Sequence, residues 1–248
     1  MEAQYNNNMQ LYYIRHAQST NNALWAEGQQ SQEGRSDDPG LTELGKQQAE
    51  LLAFFLKESD PVFSFSESDE PDQGFGITHL YCSPMIRAVE TGNIVSRSLG
   101  IPLAAWIDLH EFGGMRRWDE ESKEYISLSG EGKAYYETNY PDLVLPPTFP
   151  TEGWWDRPPE EPEEAVARGQ RVLAELLGKD GGADHRVAMI SHGAFFKFFI
   201  VAILGMESAD NFWFNHNNTG ITSIIFEEEW LSVHYVNRVD FLSPEMIT

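Results

Sequence analysis

The stretch Leu11–Thr20, LYYIRHAQST, passes from apolar and aromatic residues into an adjacent arginine and histidine, and then into small and hydroxyl-bearing residues. Its length and its aromatic and β-branched content predict a buried strand over QLYYIRH. A strand with a guanidinium and an imidazole at its end either buries an awkward pair or presents chemistry. The rest of the chain decides between the two.

Moving outward, LTELGKQQAELLAFFLKES predicts a helix with Thr42 as N-cap and Leu44, Gln48, Leu51, Leu52, Phe55 and Leu56 at helical spacing. An acidic stretch rich in Ser, Pro and Gly at about 58–76 predicts a surface loop. ITHLYCS reads as a second strand running into the helix SPMIRAVETGNIVSRSLG, with Ser83 as N-cap, Pro84 at the first helical position and Gly100 at the end. IPLAAWIDL is a third strand candidate. The segment at about 112–162 is aromatic, acidic and Pro-rich without clear period, too long for a simple connection, and predicts an insertion beside a site. PEEAVARGQRVLAELLG is an amphipathic helix with acidic residues in its first turn. RVAMISHG is a strand ending in Ser-His-Gly, followed by an apolar helix from about Ala194, and GITSIIFEEEWLSVHYVN predicts two strands joined by a turn. There is no internal repeat. Strands alternating with helices predict a single α/β domain over 1–248, with helices on both sides of a mainly parallel central sheet. In such a sheet the ligand crevice lies at the C-terminal ends of the strands.

Composition narrows the function. The 248 residues are 41% apolar and carry a formal net charge of −22, a surface that repels nucleic acid and anionic membranes. An anionic substrate is repelled too, unless a local cluster of arginines reverses the field. Cys82 is the one cysteine, which excludes an intramolecular disulfide. MEAQYNNNMQ lacks a basic region followed by an apolar one, so no signal peptide is expected. FFKFFIVAIL is too short to span a bilayer and contains Lys197. A cytoplasmic protein is expected.

Reactive groups collect at the predicted strand ends. Arg15 and His16 follow the first strand, Glu111 follows the third, His192 ends the fourth, and Arg87 lies just inside the helix after the second. Each alone has a bland reading: a satisfied structural histidine, a solvated arginine, a surface carboxylate. Together on one sheet edge they predict a site. Two guanidiniums bind the non-bridging oxygens of a phosphoryl group through bidentate, charge-assisted hydrogen bonds. The helix N-termini after Ser83 and at Gly193 would add backbone N–H donors. A neutral imidazole among them can attack phosphorus, kept deprotonated by the positive charge around it. A carboxylic acid can protonate the leaving oxygen. This chemistry needs no metal and no cofactor.

RHAQSTNN, LTELGKQQA, YCSPMIRAVETG, LHEFGG and ISHG, in that order, resemble the histidine phosphatase superfamily, with its phosphoglycerate mutase-like fold. The resemblance covers most of the chain apart from the acidic loop and the insertion. It implies a three-layer α/β/α sandwich, His16 as phosphorylated nucleophile, and Arg15, Arg87 and His192 around the phosphate. Asn22 matches a phosphate-contacting Asn, and Glu111 matches the proton donor. The chain departs from the family at Ala17, where the usual residue is Gly. The extra methyl is tolerable unless the backbone there needs a positive φ. The family's mutases resemble one another in a Glu two residues after the nucleophile and an Arg and a Tyr after the acid. Here stand Gln18 and FGGM. The resemblance therefore implies a phosphatase acting on a small phosphorylated substrate, with a mutase-type phosphoryl transferase and a catalytically weak phospho-ligand-binding module as alternatives.

Two rivals are set aside. CSPMIR has four residues between Cys82 and Arg87 where the cysteine-phosphatase loop requires five, so Cys82 reads as a small buried hydrophobe. The seven histidines include no HExxH or other compact ligand spacing, so no metal site is expected. Specificity is expected from the insertion. Trp118, Tyr125, Tyr135, Tyr136, Trp154 and Trp155 form either an aromatic lid or a satellite core, and Arg116 and Arg117 are candidates for a second anionic group. Asn218 and Thr219 are expected to make a turn rather than touch substrate. The oligomeric state stays open, a homodimer included.

Overall fold

β1 (Met9–Arg15) is buried on both faces, and its pleat sorts its residues between two cores. Tyr12 and Ile14 point to one, Leu11 and Tyr13 to the other, as a period of two requires. The computed structural model describes residues 9–28, 34–58, 74–181, 185–227 and 230–248. Most of the expected acidic loop, 59–73, lies outside the described residues.

After β1 come α1 (Thr20–Ala26), α2 (Glu43–Glu58), β2 (His79–Cys82), α3 (Ile86–Leu99), β3 (Leu103–Ala105) and a 3-10 turn (Ile107–Leu109). Then follow β4 (Arg116–Asp119), β5 (Glu124–Ser127), α4 (Lys133–Asn139), β6 (Leu143–Val144), α5 (Pro162–Asp180), β7 (His185–Ser191), α6 (Gly193–Ile203), β8 (Ile221–Phe226) and β9 (Leu231–Arg238). A seven-stranded sheet has the order β6-β3-β2-β7-β1-β8-β9. Its pairs from β6 to β1 are parallel, and β8 is antiparallel to both β1 and β9. This is the expected mixed α/β architecture.

Apolar residues of α2 and α3 cover one face of the sheet, with Leu52, Leu56, Val89 and Val95 on Tyr12, Cys82 and Ile190. Those of α5 and α6 cover the other, with Val172, Leu176, Phe195 and Phe199 on Leu11, Tyr13 and Met189. The crossovers that leave β1 and β7 run in opposite senses across the sheet. From β1 the chain crosses by α2 to β2 on one side, and from β7 it crosses by α6 to β8 on the other. That is the switch point at which open α/β sheets leave a crevice. Cys82 is buried and unpaired, and burial pushes its thiol up. No helix of the described residues is long and apolar enough to cross a membrane.

Three local expectations need correction. α3 starts at Ile86 with Met85 as N-cap, so Ser83 and Pro84 precede the helix. The Ser83 hydroxyl is drawn off to His192, and the Pro84 carbonyl accepts from the Tyr136 hydroxyl at 2.6 Å. Leu51 lies on the exposed side of α2, whose core positions are instead Gln48, Ala49, Leu52, Ala53 and Leu56. The insertion is partly regular: β4 and β5 form a separate hairpin, and β6 extends the main sheet beside β3. Its aromatics divide. Tyr136, Trp154 and Trp155 pack into the core beside α2 and α3, whereas Trp118 and Tyr125 face a cleft.

Thr42 does cap α2, its Oγ1 accepting from Gly45 N at 2.9 Å. This joins α2 to the segment after His16, because Thr42 N also donates to Gln18 O at 3.0 Å. A Cβ at Gly45 would sit inside the contact radius of Gln18 O. Helix propensity favours Ala over Gly by about 1 kcal/mol, whereas forcing a methyl into packed backbone costs about 1–3 kcal/mol. Gly45→Ala is therefore expected to destabilise, read as a lower urea midpoint; a raised midpoint would mean that propensity outweighs the clash.

Candidate active site

The ends of β1 and β7 continue their pairing by one residue, with His16 N donating to Ser191 O at 2.9 Å. This sets the His16 and His192 rings 5.1 Å apart, both buried. A turn from the far side braces the strand end. Thr219 N donates to Arg15 O at 3.0 Å, and Asn218 Nδ2 donates to His16 O at 2.8 Å. Thr219 holds a φ of 59° to make that turn. Ala17 has no positive φ, so its methyl costs nothing in the backbone.

His16 is held in one tautomer. Its Nδ1 lies 2.7 Å from the Ala17 carbonyl, which can only accept, so Nδ1 carries the proton. Nε2 then bears the lone pair and accepts from Arg87 Nε at 3.1 Å. Burial holds His16 well below the ordinary histidine range, with Arg87 and then Arg15 pushing the same way. His192 is held down by burial, Arg87 and His16. Both imidazoles are thus neutral at neutral pH. Burial also pulls Arg15 and Arg87 down from their usual value, opposed by Glu111 at both and by Asp38 at Arg87. Guanidiniums stay charged nonetheless.

Glu111 follows the 3-10 turn and sits at the N-terminus of α6. Its Oε1 accepts from Phe112 N and Phe195 N, each at 2.8 Å, and its Oε2 from Ala194 N at 3.4 Å. Arg168 of α5 holds the segment that carries it, donating to the carbonyls of Asp108 at 2.7 Å and His110 at 3.0 Å. The rest of that guanidinium makes a buried two-pronged pair with Glu160, both contacts at 2.7 Å. Asp38 plays a matching part on the other side. Its Oδ1 accepts from Ile86 N at 3.0 Å and lies 3.8 Å from Arg87 Nη1. Burial raises Asp38 to about 6.

Arg15, His16, Asn22, Arg87, Glu111, Arg116, Arg117 and Trp118 line one cleft of about 330 Å³, together with Arg35 and Tyr125. Asn22 Oδ1 accepts from Ser19 N, Ser19 Oγ and Asn218 Nδ2, which leaves its Nδ2 as the donating group. Arg116 lies over the Tyr125 ring at 4.2 Å and the Phe112 ring at 5.4 Å, and Arg117 pairs with Asp37 at 3.1 Å. Gly114, with a φ of 69°, leaves the room that the Trp155 ring occupies. Two expected residues adjoin the cleft without lining it. His192 is fully buried and bonded through Nε2 to Ser83 Oγ at 2.8 Å, and Gly193 packs on the Arg15 side chain. The helix N-termini also differ from expectation. The first N–H groups of α3 and α6 are taken by the carboxylates of Asp38 and Glu111.

The sequence reading missed Asp38, Ser83 and the pair Arg168–Glu160. Only Arg168 left a signal, a charged residue on the helix face otherwise made of Ala165, Val172 and Leu176. The sequence matches the family described as Histidine phosphatase superfamily (branch 1) over residues 72–239, more than half the chain. His16 lies outside that span. A protein of Hydrogenobacter thermophilus provisionally named phosphoserine phosphatase 2 is 26% identical over 238 residues, 92% of this chain and 95% of its own. Among solved structures, phosphoserine phosphatase of Entamoeba histolytica in complex with 3-phosphoglyceric acid superposes with a TM-score of 0.58 at 19% identity, over 95% of this chain and 100% of that one. A mycobacterial glucosyl-3-phosphoglycerate phosphatase bound to vanadate (VO3) gives a TM-score of 0.55 at 16% identity, over 93% and 99%. The chain belongs to the histidine phosphatase superfamily, branch 1.

Proposed function

We propose that the cleft hydrolyses a small phosphomonoester through a phosphohistidine on His16 Nε2, without a metal in the reaction. The observation that carries this reading is the neutral imidazole whose unprotonated Nε2 is held by a hydrogen bond from the Arg87 guanidinium. A phosphoryl oxygen takes over that guanidinium, which frees Nε2 for in-line attack. Arg15 and Asn22 Nδ2 bind the remaining oxygens. His192 acts from behind, through the ring beside His16. The P–N bond forms as the ester P–O bond breaks, and the leaving oxygen takes a proton from Glu111. Glu111, now a carboxylate, accepts a proton from the water that attacks the P–N bond, and neutral His16 and phosphate are released. Oε2, with its longer contact to Ala194, is the oxygen suited to carry that proton.

Hydrolysis is favoured over mutase-type transfer by Gln18, whose side chain turns away to accept from Thr42 Oγ1 at 2.7 Å. After Glu111 the stretch from Phe112 to Met115 stands where a mutase carries an Arg and a Tyr, and its two glycines lie against Arg116 and Trp155. A mere binding module would not need an unprotonated Nε2 at His16. For the substrate we favour a phosphate ester that also bears a carboxylate. The relatives named for phosphoserine and the neighbour holding 3-phosphoglyceric acid support that class, and Arg116 and Arg117 are the cations at the cleft mouth to receive the second charge. We read the whole chain as a single domain, and its lone buried cysteine fits the cytoplasm.

Turnover of p-nitrophenyl phosphate is expected to persist in excess EDTA and to vanish in His16→Ala; EDTA-sensitive turnover would point to a metal in the reaction. Glu111→Gln is expected to slow alkyl phosphates by about 10²–10⁴-fold, the usual worth of a positioned acid, and aryl phosphates far less. Equal losses on both substrates would remove Glu111 from the acid role. Arg116→Ala should raise KM about tenfold or more for phosphoserine, the loss of one charged hydrogen bond, and leave p-nitrophenyl phosphate unchanged.

A further inference from the structure

Chemistry-bearing groups also collect at the opposite edge of the sheet. His79 opens β2, His185 opens β7 and Asp180 ends α5. His79 pairs in register with Val187, two residues after His185, so both histidines lie on one face of the sheet. Their ring centres are 4.4 Å apart. Asp180 Oδ1 lies 3.4 Å from His185 Nδ1 and 3.8 Å from His79 Nε2, and one ligand atom from each of the three residues falls within 4.8 Å of the others.

The surroundings prepare these atoms for a cation. Asp180 has 3% of its side chain exposed. Tyr81 Oη donates to Asp180 Oδ2 at 3.2 Å, which leaves Oδ1 for the two imidazoles. Thr78 Oγ1 accepts from Arg186 N at 3.1 Å and lies 2.9 Å from His79 Nδ1. With Nδ1 engaged by Thr78, Nε2 is the ring nitrogen directed toward Asp180, and metal-binding imidazoles are oriented by such a contact on the far nitrogen. His185 Nδ1 is buried and makes no hydrogen bond, although it faces the carboxylate. A tetrahedral ion with bonds of about 2.0–2.1 Å spaces its ligand atoms by about 3.3–3.4 Å. The two measured separations from Oδ1 lie within a few tenths of an ångström of that.

We propose that His79 Nε2, Asp180 Oδ1 and His185 Nδ1 bind one divalent transition ion of the Zn²⁺ type, with water in the fourth position. Two imidazoles with one carboxylate suit Zn²⁺ and its neighbours rather than Mg²⁺ or Ca²⁺, which require mostly oxygen ligands. A chain of charge −22 also concentrates divalent cations around itself. β7 spans His185–Ser191, which puts the ion about 20 Å from the catalytic edge at about 3.3 Å per residue. The ion therefore stands outside the reaction and ties the end of α5 to the starts of β2 and β7. Chain spacing hid the triad, because His79 is remote in sequence from its two partners and no compact motif exists.

The probes are ZnCl₂ by titration calorimetry and CoCl₂ by visible absorption, with protein freed of metal by EDTA and then dialysed. The expected result is uptake of one ion per chain, a raised thermal midpoint with one equivalent of Zn²⁺, and the d–d bands of a four-coordinate Co²⁺ site. Affinity should fall at least tenfold in His79→Ala and in His185→Ala. It should stay as in the parent in His16→Ala, which removes an imidazole from the catalytic pair. His79 is partly exposed, so its variant is expected to keep the parent circular dichroism spectrum and so separates lost ligation from lost folding. No uptake by the parent, or uptake lost in His16→Ala and kept in His79→Ala, overturns the proposal.

Discussion

The parallel pairing of β1 with β7 is the constraint on which the site depends. The two strands run in register from Met9 beside His185 to Arg15 beside Ser191, and the ladder extends to His16. The chain crosses from these strands in opposite senses, which leaves a crevice at their carboxyl ends, and the next residue of each strand is a histidine. Neither imidazole has a choice of environment. Burial at the sheet edge and the Arg87 guanidinium keep both neutral, with Arg15 adding its push at His16. A neutral imidazole at this edge follows from topology and desolvation together, not from the local sequence of either strand.

Charge works at two scales. The chain as a whole repels anions, yet Arg15, Arg35, Arg87, Arg116 and Arg117 converge on one cleft, and over a few ångströms the local field dominates because distant surface charges are screened. The acidic groups near the cleft are held by backbone donors. Asp38 caps α3, and Glu111 caps α6, so each helix dipole binds a carboxylate of the protein itself. These contacts fix Arg87 and Glu111 in the cleft that His16 lines. Behind Glu111, the Arg168 guanidinium is buried with its hydrogen bonds made to Glu160 and to two carbonyls. A buried charge is tolerated when it is matched in this way.

The aromatic residues of the insertion divide between the core and the lining of the cleft. Trp155 fills the space left by Gly114 and cements the insertion to the core, and the adjoining hairpin lifts Trp118 and Tyr125 over the cleft. Arg116 is held between aromatic rings rather than by a carboxylate, so its charge remains available toward the cleft.

Local pattern in the chain was enough for the strands that carry function, the capping of α2 by Thr42, the α/β class, and the convergence of Arg15, His16, Arg87 and Glu111. Buried strands, caps and strand-to-helix junctions are written in neighbouring residues, and parallel strands present their ends on one side. What depends on residues far apart in the chain was decided by the tertiary structure alone. Ser83 looked like a helix cap and instead meets His192, and Asp38 in an unremarkable loop meets Arg87. Arg168 crosses from α5 to hold the carbonyls beside Glu111. His79 finds Asp180 and His185 only because β2 lies beside β7. Hydrogen bonds and charge pairs act over about 3–4 Å, and sequence distance says nothing about who comes that close until the sheet has set its order.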